Sequence, residues 1–234
     1  MKKKIVAIVQ ARTCARRLPN KVMLPLCGHR IIDWVMVRVT KSREVDKVVF
    51  AIPQGSQDNA LAEYLESLGA SIFRGNEQDV VERFFLAAKK YQATHIVRVC
   101  ADNPFICASE IDLLVRFYMN NNFDYAYNHI PRNNRYPDGL GAEIVSFAVL
   151  EKVHQGATSL DHREHVFNFI WSHSDRFKIG TFNPDDGRLA CPDLKLDINT
   201  EEDYHRLSRM KVDMEMEACA IVEAAKGLTE HETR

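Results

Sequence analysis

The chain has 234 residues, with 31 lysines and arginines against 32 aspartates and glutamates, so its formal net charge is -1. This near-neutral balance argues against a protein that coats nucleic acid or an anionic membrane, because such proteins carry a basic excess. Hydrophobic residues make up 46% of the chain, and a chain of this length buries roughly 70% of its unfolded surface. The sequence therefore predicts a globular protein that needs no disulfide or metal in order to fold.

The N-terminal residues and the cysteines favour the cytoplasm. Three lysines precede an apolar run that stops at Gln10, which is shorter than the roughly 7–15 residues of a signal-peptide core. No apolar stretch approaches the roughly 20 residues of a membrane-spanning helix, so we expect no membrane association. The six cysteines are scattered without a CxxC pair or a zinc-like spacing, and we expect all of them to be reduced thiols.

Short apolar runs alternate with segments of helical periodicity along the first 150 residues. The runs predict strands at residues 4–9, 47–52, 70–73, 95–100, 123–127 and 142–147. The periodic segments predict helices at residues 30–41, 57–68, 78–91 and 109–120. This alternation predicts an α/β fold in which a mostly parallel sheet is covered by helices on both faces.

The last third of the chain predicts fewer strands. Residues 177–182 and 193–197 have strand-like composition, and residues 214–225 form a last predicted helix. Two further helices are predicted to begin at capping boxes, at Asp161–Glu164 and at Asn199–Glu202. In each box, a short polar acceptor stands three residues before a glutamate.

The segment that follows the first strand is rich in cations. Four of them, Arg12, Arg16, Arg17 and Lys21, fall within ten residues. Ligands of open α/β sheets bind beyond the carboxyl ends of the strands, where this segment lies. Guanidinium groups match phosphate oxygens and lysine supplies a movable charge, so the segment suits a triphosphate. It lacks the GxxxxGK[ST] pattern of a P-loop, and the alternative is a solvated basic loop.

Two aspartates follow apolar strands at the same predicted edge. Asp102 precedes a turn that contains Pro104, and Asp197 precedes the helix near residue 200. Mg²⁺ takes one or two carboxylates together with phosphate oxygens and water. The alternative for Asp102 is that it caps its own turn. Together with the basic segment, these carboxylates indicate nucleotidyl transfer without a covalent nucleophile.

These segments resemble the signatures of one enzyme family. Residues 11–21 read AR-x4-RLP-x-K, residues 102–105 read DNPF and residues 196–203 read LD-x2-T-x2-D. The pattern is similar to that of the sugar-acid cytidylyltransferases, which include the CMP-Kdo and CMP-acylneuraminate synthetases. Residues 136–140 (YPDGL) and 161–165 (DHREH) resemble the spore-coat polysaccharide biosynthesis protein F branch. The resemblance covers about residues 4–207, and the chain departs from it at Ala15, Asn20 and Ala101, where the family usually has Ser, Gly and Gly.

The resemblance implies a fold and a reaction. The fold would be a Rossmann-like three-layer α/β/α sandwich of the nucleotide-diphospho-sugar transferase type. It would form one domain over residues 1–234, with an excursion at 128–185 for the acceptor or for a homodimer contact. The reaction would be Mg²⁺-dependent transfer of CMP from CTP to a small anionic acceptor, a sugar acid, with release of pyrophosphate. Nucleic acid and membranes would not be partners.

The resemblance also implies roles for individual residues. Asp102 and Asp197 would hold Mg²⁺, and with Arg12 and Lys21 they would be the catalytic set. The nucleotide would contact a larger group, namely Gln10, Ala11, Arg12, Arg17, Lys21, Arg74, Gly75 and Asp102, with Arg74 and Gly75 near the cytosine. The acceptor would face Asp138, Glu143, Arg163, Glu164 and His165.

Within the acceptor set, Arg163 is the expected partner of a carboxylate, because a guanidinium binds that group with two hydrogen bonds. Arg132 and Arg135 are either a second pair of anion ligands or solvated loop charges. Two other functions stay open, namely CTP-dependent activation of a phosphonate or phosphorylated alcohol, and a degenerate nucleotide-binding protein. Ala15 and Ala101 favour the degenerate protein. Glycosyl transfer is disfavoured, because no metal-binding DxD triplet is present.

Overall fold

The computed structural model describes residues 3–232. Nine strands are formed by these residues: β1 (Ile5–Gln10), β2 (Pro25–Leu26), β3 (His29–Arg30), β4 (Lys47–Pro53), β5 (Ser71–Gly75), β6 (His95–Cys100), β7 (Tyr125–Tyr127), β8 (Glu143–Ser146) and β9 (Ile179–Gly180). Seven of them make one sheet in the order β5-β4-β1-β6-β8-β7-β9, while β2 and β3 pair separately.

The strands of the main sheet run parallel except for one antiparallel strand. Neighbouring strands run parallel from β5 to β6 and again between β7 and β9. Strand β8 is antiparallel to both of its neighbours, β6 and β7. The carboxyl ends of β5, β4, β1 and β6 therefore meet at one edge of the sheet, and the predicted mostly parallel sheet is confirmed.

Helices cover both faces of this sheet. They are α1 (Ile31–Thr40), α2 (Asn59–Ser67), α3 (Val80–Lys90), α4 (Ala108–Met119), α5 (Phe147–Gly156), α6 (Leu160–Glu164), α7 (Asn168–Ser172), α8 (Glu201–Ser208) and α9 (Ala218–Glu232). One face buries apolar residues of α1, α2 and α4, and the other buries those of α3, α5 and α7. A third cluster packs α9 against α1 and the segment before α8. The α/β prediction is thereby confirmed as three layers.

The apolar periodicity placed the elements well, but the helix starts were less well predicted. Helix α6 begins after Ser159, whose hydroxyl accepts a hydrogen bond from the His162 amide at 3.2 Å, so the capping box at Asp161 is wrong. The capping box predicted at Asn199 and Glu202 is also wrong, by one residue, because Thr200 and Asp203 form the box. The Asn199 side chain binds Asp197 instead.

The segment at residues 128–185 contributes β8, β9 and α5–α7 to the main sheet and its cover. Residues 193–197, predicted as a strand, make a single bridge between Lys195 and Asp138, so that prediction is wrong. All six cysteines are free thiols. Among residues 3–232, no helix combines the length and the apolar character that crossing a membrane requires.

Candidate active site

The basic segment after β1 folds into a loop that is closed by its own backbone. The amides of Ala15 and Asn20 both donate to the Thr13 carbonyl, at 2.9 and 2.8 Å. Asn20 has a φ of 56°, a left-handed conformation that asparagine adopts more readily than most residues. Arg12 is half-buried and Arg17 is exposed at the open side of the loop. The loop, residues 10–21, thus presents cations at the carboxyl edge of the sheet and is called the phosphate loop below.

The last cation of this loop reaches across to the carboxylates. The Lys21 ammonium donates to Asp102 Oδ2 at 2.7 Å and to the Ile198 carbonyl at 2.9 Å. The Ile198 amide donates in turn to the Asp102 carbonyl at 2.8 Å. The phosphate loop, the end of β6 and the segment before α8 therefore meet at one point. Ala101, at the end of β6, does not have a positive φ, so its backbone conformation does not require glycine.

Three aspartates gather at this point. Burial raises the pKa of Asp197, and the nearby Asp102 charge raises it further against the opposing charge of Lys195. Burial and the Asp197 charge raise the pKa of Asp138 to about 6. These shifts show that Asp102, Asp138 and Asp197 concentrate negative charge in a partly desolvated place.

This aspartate cluster fits a divalent ion that arrives with phosphates. Asp197 Oδ1 is buried without a hydrogen-bond partner, and the Lys195 ammonium lies 3.7 Å away. A buried carboxylate oxygen beside a second carboxylate is the hard oxygen donor set that Mg²⁺ prefers. Over the described residues, no three His, Cys, Asp or Glu side chains are arranged as a metal site. Asp102 and Asp197 would be sufficient protein ligands for Mg²⁺, because this ion takes its remaining ligands from phosphate and water.

Gly139 is required where the chain passes this cluster. Its φ is +89°, and a Cβ atom there would lie 2.8 Å from the backbone nitrogen of Asp197. The Asp138 amide donates to the Leu194 carbonyl at 3.0 Å, and the Leu196 amide donates to the Asp138 carbonyl at 2.9 Å. Residues 138–139 therefore fix the backbone that carries Asp197.

A cavity of about 280 Å³ opens next to the phosphate loop. It is bounded by strands β6 and β8 and by the segment from α6 to α7. Its lining is polar and aromatic, with Arg98, His129, Ile130, Arg132, Glu143, His165, Val166, Phe167, Asn168 and Trp171. The volume is near the lower end of ligand pockets, roughly 300 Å³. We call it the acceptor cavity.

The floor of the acceptor cavity is a buried ion pair. Arg98 on β6 lies opposite Glu143 on β8 in the antiparallel register, and their side chains form a salt bridge. Glu143 also accepts a hydrogen bond from the Tyr125 hydroxyl at 2.6 Å, and His129 Nε2 lies 3.7 Å from it. Burial alone would raise the pKa of Glu143, but the Arg98 and His129 charges and the Tyr125 hydroxyl hold it below its usual value. Glu143 is therefore a carboxylate at neutral pH.

The cavity floor is joined to the nucleotide side through Gln10. Its Oε1 accepts hydrogen bonds from Arg98 Nε and Nη2, both at 3.2 Å. Because Gln10 ends β1 and begins the phosphate loop, the cavity and the loop share this contact. A ligand in the cavity would thus lie beside a nucleotide on the loop.

The rim of the cavity carries a cation without a carboxylate partner. The Arg132 guanidinium lies 4.1 Å above the ring centre of Trp171 and is exposed. Among the described side chains, no carboxylate forms an ion pair with it. His165, at the C-terminal end of α6, is exposed on the same rim. The rim is therefore cationic.

The structure separates the predicted acceptor residues into three groups. Glu143 and His165 line the cavity, and Asp138 lies with Asp102 and Asp197. Arg163 and Glu164 do not line the cavity. Arg163 pairs with Asp79 at 3.3 Å, and Glu164 pairs with Arg12 at 3.6 Å. These pairs fasten α6 to the start of α3 and to the phosphate loop.

The two residues expected near the cytosine, Arg74 and Gly75, end strand β5 beside the end of β4. Arg74 donates to the carbonyls of Pro53 and Gly55, at 3.2 and 2.8 Å, so its guanidinium is used in joining these strands. Gly75 is buried against the Arg83 side chain. Ala11, predicted to line the nucleotide, is buried at the start of the phosphate loop.

The sequence predicted only Glu143 of the cavity floor. Arg98 and His129 were not predicted as site residues, and Arg132 was left as either a ligand or a solvated charge. A signal for Arg98 was available, since it is a single arginine inside the apolar strand at residues 95–100. Its partner Glu143 lies 45 residues away, so only the sheet order could pair them.

Comparison with known proteins agrees with this geometry. Residues 6–231 match the family model described as cytidylyltransferase. An uncharacterised protein of Methanocaldococcus jannaschii is 36% identical over 201 residues, which cover 86% of this chain and 80% of that protein. Spore coat polysaccharide biosynthesis protein SpsF of Bacillus subtilis is 28% identical over 211 residues, covering 88% and 85%.

A solved structure extends the likeness to the whole fold. The structure of a cytidylyltransferase from Leptospira borgpetersenii superposes with a TM-score of 0.88 at 27% identity, covering 98% of this chain and 96% of that one. The predicted Rossmann-like nucleotidyltransferase fold and the predicted enzyme class are confirmed. This chain belongs to the cytidylyltransferase family.

Proposed function

We propose that this enzyme transfers CMP from CTP to a sugar acid of the nonulosonate or Kdo type, with release of pyrophosphate, for surface polysaccharide biosynthesis. The observation that supports the acceptor class is the cavity beside the phosphate loop, with a cationic rim and a carboxylate in its floor. The name of the Bacillus subtilis relative supports the polysaccharide pathway.

The cavity suits a molecule that is both anionic and rich in hydroxyl groups. The Arg132 guanidinium lies over the Trp171 ring and pairs with no carboxylate of the described residues, so its N–H groups can bind an acceptor carboxylate. The ionised Glu143 is an acceptor for sugar hydroxyl groups, and His129 beside it is a further polar contact. Arg132, and not Arg163, is therefore our proposed ligand of the acceptor carboxylate.

The phosphate loop suits the nucleotide. Arg12, Arg17 and Lys21 would bind the triphosphate and stabilise the charge that develops on the transferring group and on pyrophosphate. The acceptor hydroxyl oxygen bonds to the α-phosphorus in line with the departing pyrophosphate oxygen. The bond from phosphorus to that oxygen breaks, pyrophosphate keeps the electron pair, and the hydroxyl proton passes to solvent. Lys21 follows this charge by exchanging Asp102 for a phosphate oxygen. Mg²⁺, held by Asp102 and Asp197, would supply additional positive charge at the phosphate oxygens.

The test is release of pyrophosphate from each of the four ribonucleoside triphosphates, with and without Mg²⁺. The acceptor panel contains Kdo, neuraminic, legionaminic and pseudaminic acids, together with phosphonates and phosphorylated alcohols. Release with CTP and one sugar acid supports the proposal. Release only with a phosphonate or a phosphorylated alcohol replaces the acceptor class, and CTP binding without release from any acceptor favours a degenerate protein.

A further inference from the structure

Beneath the phosphate loop, a buried polar cluster joins three loops at the carboxyl edge of the sheet. Thr13 follows β1, Asp58 lies in the turn after β4, and Arg83 comes from the start of α3. Asp58 Oδ1 accepts hydrogen bonds from the Thr13 amide at 2.7 Å and from the Thr13 hydroxyl at 2.9 Å. Arg83 Nη1 donates to the carbonyls of Asn76 and Glu77, in the loop after β5. We call Thr13, Asp58 and Arg83 the buried cluster.

Some charged atoms of this cluster are buried without a hydrogen-bond partner among the described residues. Asp58 and Arg83 are both 0% exposed. Asp58 Oδ2 and the Nε and Nη2 groups of Arg83 have no hydrogen-bond partner among the described residues. Buried groups of this kind are normally paired, because unpaired charge is costly to remove from water. One carboxylate oxygen and two guanidinium nitrogens without hydrogen-bond partners among the described residues therefore lie in the same interior region.

The positive charge of Arg12 in the phosphate loop acts on Arg83 of the buried cluster. Burial and the neighbouring Arg12 charge lower the pKa of Arg83 to about 10, while the Asp58 charge opposes the change. Arg83 therefore stays a cation at neutral pH, and it repels Arg12. An anion bound at Arg12 would offset that repulsion. Gly75 makes room for Arg83, since a Cβ there would lie 3.0 Å from the Arg83 side chain.

We propose that Asp58 and Arg83 are positioning residues that hold Thr13, and through it Arg12, in the geometry that binds the nucleotide phosphates. Neither side chain touches the ligand, because both are fully buried. The inference rests on the proposed function in taking Arg12 as a ligand of the nucleotide phosphates and CTP as the nucleotide.

The test measures binding of CTP and of inorganic tripolyphosphate by titration calorimetry, together with thermal unfolding. The variants are Asp58→Asn, Arg83→Met and Thr13→Val. We expect each to weaken binding of both ligands, by about tenfold or more for Asp58→Asn and Arg83→Met and less for Thr13→Val. In turnover assays, the KM for CTP should rise while the KM for the acceptor stays unchanged.

A buried arginine elsewhere provides the matched control. Arg38 on α1 is 5% exposed and donates to the carbonyls of Ile106, Met214 and Met216. Arg38→Met should lower the melting temperature without changing the affinity of the folded protein for tripolyphosphate. If Arg83→Met fails to fold, Asp58→Asn and Thr13→Val, which are smaller changes, carry the test.

The inference is overturned if the cluster variants lose stability as Arg38→Met does but bind tripolyphosphate with wild-type affinity. Failure of the proposed function is distinguishable from this result. A wild-type protein that binds tripolyphosphate and not CTP would contradict the nucleotide assignment, while the variants would still test the cluster with tripolyphosphate.

Discussion

Lys21 and Asp102 form a 2.7 Å ion pair that connects the phosphate loop to the carboxylates. The ammonium has two further oxygen contacts, with Ile198 at 2.9 Å and Asn199 at 3.4 Å. A cation of the protein therefore stabilises the aspartates in the structure described here. If Lys21 binds the nucleotide phosphates, as we propose, its ammonium moves from a carboxylate to a phosphate, and one lysine would serve two states of the site.

The first prediction concerns this lysine. We expect Lys21→Met to lower kcat/KM by about 10²–10³, because the variant loses a charge that stabilises the transferring phosphoryl group. Its melting temperature should also fall, since Asp102 loses its ion pair. Pyrophosphate release and thermal unfolding measure the two effects. The control is Lys41→Met, whose exposed ion pair with Glu215 involves no residue of the candidate site. Activity of Lys21→Met within threefold of this control would contradict the catalytic role of Lys21.

The second prediction concerns the carboxylates. Asp102→Asn and Asp197→Asn should each abolish Mg²⁺-dependent turnover and leave the fold intact. Burial disfavours the charged form of Asp197, so the metal-free Asp197→Asn protein should melt no lower than the wild type. Calorimetric titration with Mg²⁺ and CTP measures the binding loss. Asp193→Asn, at an exposed position in the same segment, is the control, and near-wild-type turnover in either site variant would refute the metal assignment.

The third prediction uses two glycines with the same backbone conformation. Gly28 and Gly139 have φ values of +87° and +89°, but only Gly139 has a close neighbour, the backbone of Asp197. Gly28→Ala should cost about 1–2 kcal/mol of unfolding free energy, the cost of a left-handed alanine. Gly139→Ala should cost more and should also lower kcat, because the new methyl group displaces Asp197. Denaturant unfolding measures the free energy of unfolding, and turnover assays measure kcat. Equal effects of the two substitutions would show that the contact of Gly139 with Asp197 is unimportant.

The fourth prediction concerns the acceptor. Arg132→Met should raise the acceptor KM by about tenfold or more, which corresponds to about 1.4 kcal/mol, and leave the KM for CTP unchanged. Arg135→Met is the matched control, because Arg135 belongs to the same loop, is exposed and does not line the cavity. If Arg163→Met raises the acceptor KM and Arg132→Met does not, the carboxylate ligand is Arg163.

The fifth prediction is a pH dependence from His129. Burial lowers the pKa of His129 below 6.5, Arg98 lowers it further, and Glu143 opposes the change. In the interval between the folded value and 6.5, the unfolded chain binds more protons, so the free energy of unfolding falls as the pH drops. His129→Gln removes this contribution. Urea unfolding at pH 7.5, 6.0 and 5.0 should show a shallower loss in the variant, and parallel curves for the two proteins would contradict it.

Much of the fold was predictable because apolar spacing reports burial directly. The strand at residues 95–100 was predicted with the bounds that the structure shows. The segment at residues 193–197 was misread, since its apolar residues pack with α9 and not in a ladder of strands. A helix start depends on which of several neighbouring polar side chains accepts the hydrogen bond from the first free amides, as Ser159 and Thr200 do. The local sequence does not show which of these side chains will do so.

The candidate site was predictable where its residues follow strands. The Lys21–Asp102 contact agrees with an edge made of the carboxyl ends of β1 and β6. Asp197 lies near Asp102 as well, although residues 193–197 form no strand. The acceptor cavity was not predictable in the same way. Its floor depends on one antiparallel strand, and periodicity does not give strand direction. Arg163 was a reasonable choice by residue type, but Asp79, 84 residues away, neutralises it.

The reversal of β8 has a consequence for how related enzymes can diverge. Side chains alternate between the two faces of a strand, so loss or gain of one residue within β8 would turn Glu143 to the opposite side of the sheet. The loop between Tyr127 and Glu143 is not bound by that alternation and carries Arg132. Insertions there can exchange the group that meets the acceptor while the Arg98–Glu143 pair stays in place. New acceptor preferences are therefore expected to arise by changes of loop length at residues 130–137, over an unchanged floor.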